Sequence, residues 1–111
     1  MNSGNFVFGD KTDWEVTGPG VKRQILAYDD QIMVVKVCFE AGSEGYVHAH
    51  PHRQCTYVVD GVFEFQVGEQ KNTVRAGDSL YMQPDVPHGV ICIEAGTLID
   101  TFNPVRKDFL K

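Results

Sequence analysis

The residues predict an all-β sandwich or barrel, and three observations carry that expectation. Turn formers recur at short intervals: Gly18-Pro19-Gly20, Asp29-Asp30, Gly42, Gly45, Asp60-Gly61, Gly68, Gly77-Asp78, Pro84, Pro87 and Gly96. Between them lie short runs rich in Val, Ile, Phe and Tyr, which is the spacing of closely connected strands. Several of these runs alternate apolar and polar residues, and no long stretch keeps a helical period. The chain has 111 residues, 42% hydrophobic and 23% charged, ordinary values for a folded protein. That length suits one core, so a single domain over residues 1–111 is expected.

In chain order, residues 23–28 and 32–39 read as two strands around a tight turn at 29–31. In the second of them Met33, Val35, Val37 and Phe39 share an apolar face, and Lys36 and Cys38 lie on the other. Residues 54–59 and 62–67 flank Asp60-Gly61, which reads as a two-residue hairpin turn with positive φ. Phe63, Phe65 and Val67 alternate there with Glu64 and Gln66. Further strands are expected at 71–75, 79–82, 88–93 and 97–102, giving seven to nine in all. Only the segment 105–110 could form a helical turn. Trp14, Phe6 and Phe8 are expected to cover the barrel end or a neighbouring subunit.

Charge and cysteine usage narrow the function classes. There are 10 basic and 15 acidic residues, a net charge of −5. A nucleic-acid binder needs a dense basic patch, and no such run exists. A small anion remains possible as a ligand, provided an arginine or a metal supplies local positive charge. No apolar run reaches membrane-spanning length, and the start MNSGNFVFGD has neither a basic n-region nor a long apolar core. Cys38, Cys55 and Cys92 show no CxxC spacing, so reduced thiols and a cytoplasmic location are expected.

All four histidines fall in two segments, VHAHPHRQ (His48, His50, His52) and DVPHG (His88). In an extended strand His48, His50 and Gln54 share one face. Two imidazoles at i and i+2 can converge on one cation, and a third from a neighbouring strand completes a three-nitrogen site. Gln54 offers a neutral amide oxygen as a fourth ligand. The bland alternative is a surface loop without ligands. His52 has the same parity, but Pro51 interrupts the extended run and leaves its direction open.

The spacing Gly42-x5-His48-x-His50-x3-Gln54-x6-Gly61 resembles the first motif of the cupin family, with Gln in the Glu position. Gly77-Asp78 with His88 eleven residues after the glycine resembles the second motif. That second motif departs in detail: Gln83 stands where proline is usual, Asp85 replaces a glycine, and Cys92 replaces an asparagine. The resemblance implies a cupin double-stranded β-helix, or jelly-roll barrel, with its motif core at about 42–92. It also implies one divalent transition metal (Ni, Mn, Fe, Zn or Co) on His48, His50, Gln54 and His88.

The ending Asp100-Thr101-Phe102-Asn103-Pro104-Val105-Arg106-Lys107-Asp108-Phe109-Leu110 resembles that of KdgF-type pectin-degradation cupins. The tail 103–111 is expected to pack on the barrel. Proteins of that type convert 4,5-unsaturated monouronates, from pectin or alginate breakdown, to linear ketonised sugars. The resemblance implies a role in turnover for Asp100, Phe102 and Arg106. Leu98, Asp100 and Phe102 share parity and can point into a barrel. A carboxyl there suits general acid or base work, because desolvation raises its pKa. Arg106 suits a bidentate hold on the uronate carboxylate, and Phe102 suits stacking on the sugar face. Their bland readings are a strand-end salt bridge, a solvated arginine and simple core.

Other residues rank lower: Arg53 and Cys55 point outward, and Cys92 points inward as either a packing thiol or a neighbour of the metal. The family also implies a homodimer, for which Cys55, Tyr57 and Val59 offer an outward apolar surface. Alternative functions are another metal cupin enzyme, either a sugar isomerase or a dioxygenase, and a non-catalytic sugar-binding cupin.

Overall fold

The computed structural model describes residues 1–110. Eight strands are present: β1 (Glu15–Gly18), β2 (Val21–Tyr28), β3 (Met33–Phe39), β4 (Glu44–His48), β5 (Arg53–Val67), β6 (Gln70–Arg75), β7 (Ser79–Met82) and β8 (His88–Asn103). Short 3-10 turns at Gly9–Lys11 and Lys107–Phe109 are the helical elements among the described residues. All pairings are antiparallel.

The two long strands, β5 and β8, organise everything else. They pair with each other along their whole length, from Arg53↔Asn103 to Val67↔His88. The late half of β8 also pairs with β3, and the early half of β5 with β7. The early half of β8 instead takes β4, and the late half of β5 takes β6. One bent ribbon therefore belongs to two sheets that face each other. This is the all-β jelly roll that the sequence predicts.

Asp60-Gly61 is not a hairpin turn. Residues 54–59 and 62–67 are one strand, and both halves pair with β8 instead of with each other. Gly61 does have positive φ (85°), but Asp60 does not share it, as a type I′ turn requires. The ladder slips in register across Val58, Asp60, Val62 and Phe63. That slip has a clear packing purpose. Gln54, Thr56 and Val58 face inward before it, and Phe63 and Phe65 after it, so inward parity switches from even to odd.

Gly61 crosses Gly96 of β8 at close range. A Cβ on Gly61 would lie 2.7 Å from the Gly96 Cα, and a Cβ on Gly96 would strike the Asp60 carbonyl oxygen. Backbone, not side chain, fills this crossing. Gly96→Ala is expected to destabilise the protein by at least about 3 kcal/mol. Urea unfolding measures it, and a loss under about 1 kcal/mol would show that the ribbon can part without penalty.

Two apolar clusters fill the interior. Val21, Phe39, Val58, Phe63, Phe65, Cys92 and Leu98 form one, and Met33, Val35, Phe102 and Val105 the other. Phe109 and Leu110 pack on the second cluster. The expected apolar face of β3 is inward, with Met33, Val35 and Phe39 buried. Phe6 and Phe8, in contrast, stack on each other in solvent. Trp14 lies on the outer surface, with the Lys22 ammonium 4.4 Å from its ring. None of these three covers the barrel end. The amino-terminal segment is held instead by buried Gln24, whose amide donates to the Gly9 and Thr12 carbonyls.

Candidate metal centre and active site

His48, His50 and His88 come together at one mouth of the barrel. Each offers a ring nitrogen, and the three nitrogens lie within 4.8 Å of one another. The elements that position them are not those the parity argument assumed. β4 ends at His48, and His50 lies in the loop before β5. That loop is fixed by the Asp85 N–H donating to the His50 carbonyl at 2.8 Å. Asp85 itself has φ 65°, a left-handed conformation that a short polar side chain tolerates. This accounts for the glycine usual at its motif position. His88 opens β8 and stands opposite His48 in the ladder.

Main-chain carbonyls set the tautomers. The Nδ1 atoms of His48, His50 and His88 face the carbonyls of Tyr46 (2.7 Å), His52 (3.1 Å) and Val86 (3.0 Å). Each Nδ1–H donates outward, so each Nε2 presents a lone pair toward the cluster. Burial holds the pKa of His50 and His88 below the ordinary value, which keeps both neutral and able to ligate. The Nε2 of His88 is buried without a hydrogen-bond partner among the described residues, an arrangement that is costly unless something binds there. The Nε2 of His50 faces the Gln54 amide oxygen at 3.0 Å. Two acceptors opposed at that distance fit a cation between them. The donor set of three imidazoles and one amide oxygen suits a transition metal.

Gln54 is oriented by a side-chain relay. Its amide nitrogen donates to the Thr56 hydroxyl at 3.1 Å, and that hydroxyl donates to Asp100 Oδ1 at 2.6 Å. Asp100 pairs with Thr56 across the β5–β8 ladder. Burial raises its carboxyl from 3.8 to about 6, against the opposing pull of the Thr56 and Gln54 donors and the Arg106 charge. A carboxyl that titrates near neutrality at a cavity wall is poised for proton transfer.

The cavity has a volume of about 410 Å³ and is bordered by His48, Gln54, Asp100, Phe102 and Arg106. Of the histidine cluster, exposed His48 is the member that borders this space. Phe102 is buried, with its ring 5.7 Å from that of His50 and the Arg106 guanidinium 5.0 Å away. Arg106 is buried too, and its fork is partly engaged: Nε and Nη2 donate to the two Asp108 oxygens at 3.1 and 2.9 Å. Arg23, Tyr46, Thr17 and Phe109 also border the cavity. Sequence reasoning missed these four.

A model of the cupin domain matches residues 35–101. The chain is a cupin. It is 40% identical to the pectin degradation protein KdgF of Dickeya dadantii, over 95% of this chain and 97% of that protein. Among solved structures, an RmlC-like cupin from Shewanella frigidimarina superposes with a TM-score of 0.95 at 47% identity, covering 98% of each chain. KdgF from Halomonas sp. superposes with a TM-score of 0.92 at 34% identity, covering 97% of this chain and 100% of that one. Oxalate decarboxylase of Bacillus subtilis, at 16% identity and a TM-score of 0.80, shares the fold.

Four further residues resolve in this cupin. The His52 ring stays outside the histidine cluster, and its carbonyl serves instead as the acceptor for His50. Cys92 lies in the first apolar cluster, its thiol donating to the Glu94 carbonyl at 3.1 Å and its pKa raised by burial. It is a packing residue. Cys55 and Arg53 are exposed, as their parity predicts.

Proposed function

We propose that this cupin is a metal-dependent enzyme that converts 4,5-unsaturated monouronates to linear ketonised sugars by ring opening and proton transfer. The observation that carries the reading is Asp100, a carboxyl titrating near 6 at the wall of a cavity that His48 of the histidine cluster also borders. The KdgF likeness over nearly the whole chain supports the substrate class.

The substrate is a cyclic hemiacetal whose C4=C5 bond is an enol ether beside a carboxylate. Ring opening takes the proton of the C1 hydroxyl, breaks the C1–O bond to the ring, and leaves an aldehyde and an enolate. Delivery of a proton to C4 then gives the ketone. A divalent metal held by His48, His50, Gln54 and His88 would act as a Lewis acid for developing negative charge on substrate oxygen. Asp100 moves the proton. With a pKa of about 6, both its forms are populated near neutrality, so one group can accept at oxygen and donate at carbon. Phe102 backs the sugar from the apolar wall, and Arg106 places positive charge where the substrate carboxylate enters.

The enzyme would work in the cytoplasm as a homodimer. Tyr57 and Val59, exposed on the outer face of β5, would meet their counterparts across the subunit contact.

The test is to mix metal-loaded protein with freshly generated unsaturated galacturonate and follow the enol-ether absorbance, with a chelator-treated control. Metal-dependent loss and a linear keto product by NMR are expected. A rate equal to the spontaneous one would sink this reading.

A further inference from the structure

Arg23 lies on β2 opposite Val37, on the same face as buried Val21. That face turns into the barrel, where an arginine needs a compensating anion. Among the described residues its nearest carboxylate is Glu15, whose Oε2 lies 3.6 Å from Nη2. That separation exceeds hydrogen-bond length, and Glu15 is well exposed, so the pair compensates little. The Nε of Arg23 is buried with no hydrogen-bond partner among the described residues.

A second positive charge stands close by. The Phe109 ring carries both guanidiniums, that of Arg23 at 3.7 Å and that of Arg106 at 4.2 Å from its centroid. Cation–π attraction to one ring gathers two groups that repel each other. Asp108 occupies two of the N–H groups of Arg106. Arg23 has no equivalent partner among the described residues, and both arginines border the same cavity as Asp100 and His48. Among the described residues Asp108 is the one carboxylate hydrogen-bonded to either arginine, which leaves the Arg23 fork without such a partner beside the cavity.

We propose that Arg23 is the residue that recognises the carboxylate of a sugar acid in this cavity. The identity of the sugar rests on the uronate reading above, whereas the demand for an anion rests on the two arginines themselves. Arg106, committed to Asp108, supplies field and shape; Arg23 supplies the uncommitted N–H groups for a charge-assisted hold. Recognition at Arg23 and proton transfer at Asp100 are then separate tasks, so loss of Arg23 weakens binding more than the chemical step.

The metal-loaded protein and its Arg23→Met and Arg23→Lys variants test this with two readouts. One is turnover of unsaturated galacturonate; the other is NMR titration with galacturonate and with galactose, which are not turned over. Arg23→Met keeps an apolar stem against Phe109 and is expected to raise KM about 10- to 100-fold with kcat within about threefold. Galacturonate affinity falls by a similar factor, while galactose affinity stays. Arg23→Lys, which keeps the charge without the fork, falls between, and it decides the matter should the Met variant fail to fold. An unchanged KM, equal losses for both titrated sugars, or a wild type that prefers neither sugar would each overturn the proposal. A wild type that prefers galacturonate but turns over nothing defeats the reaction reading alone, and the titrations still decide Arg23.

Discussion

Asp100→Asn is expected to lower kcat about 10²- to 10⁴-fold while KM and metal content stay within about twofold. The amide preserves the shape of the site and can still accept from the Thr56 hydroxyl, which approaches Oδ1 at 2.6 Å. What it cannot do is carry a proton. The pH dependence should identify the same group: a limb near pH 6 in the kcat profile, absent from the variant. Equal turnover in the variant would remove Asp100 from the chemistry.

The same substitution has an opposite expected effect on stability. Unfolded, the carboxyl titrates near 3.8; folded, near 6. Between those values the folded chain binds the extra proton, so stability falls as pH rises through the window. The penalty is absent below pH 3.8 and fully present above pH 6, and amounts to about 3 kcal/mol. Metal-free Asp100→Asn should therefore be more stable than wild type at pH 7, by up to that amount, with the gain vanishing toward pH 4. Urea unfolding at the two pH values checks it. A catalytic group that makes the fold less stable is the expected trade at an active site.

His88→Ala is expected to lower metal affinity at least about 100-fold and turnover to the spontaneous rate. His88 is buried at the start of β8, and its Nε2 has no partner among the described residues. Its loss leaves two imidazoles and an amide, too few to hold a transition metal firmly. Chelator-buffered titration measures the affinity. Thermal unfolding gives a reading independent of activity, because a metal at 100 times its Kd stabilises the wild type by about 3 kcal/mol. The variant should show no such upshift under the same metal concentration. Retained affinity would place the ion elsewhere.

Legibility in the sequence followed the range of each signal. Alternation is local, so the inward face of β3 and the outward direction of Arg53 and Cys55 could be read from neighbouring residues. The histidine cluster was legible from motif spacing, although the strand assumed to carry His50 is a loop. Asp60-Gly61 misled because a positive φ before a period-two run looks the same in a turn and in a bend. The decisive fact, Gly96 against Gly61, lies far along the chain. Arg23 was invisible for a related reason. A charged residue in the early, half-polar β2 reads as surface until β3 and Phe109 place it inside. Phe109 likewise meets Arg23 only once the tail has folded back.

The three carbonyls that steer the imidazoles belong to Tyr46, His52 and Val86, and a carbonyl is the same atom in every residue. Side-chain replacement at these positions leaves the acceptor in place, so ordinary mutation has no direct purchase on this flank of the centre. The other flank, from Gln54 through Thr56 to Asp100, is made wholly of side chains and is open to selection one codon at a time. Drift or directed evolution should accordingly retune this centre from the Gln54 side. Altering the imidazole side would take an amide-to-ester exchange in the backbone, a change available to chemical synthesis and not to the genetic code.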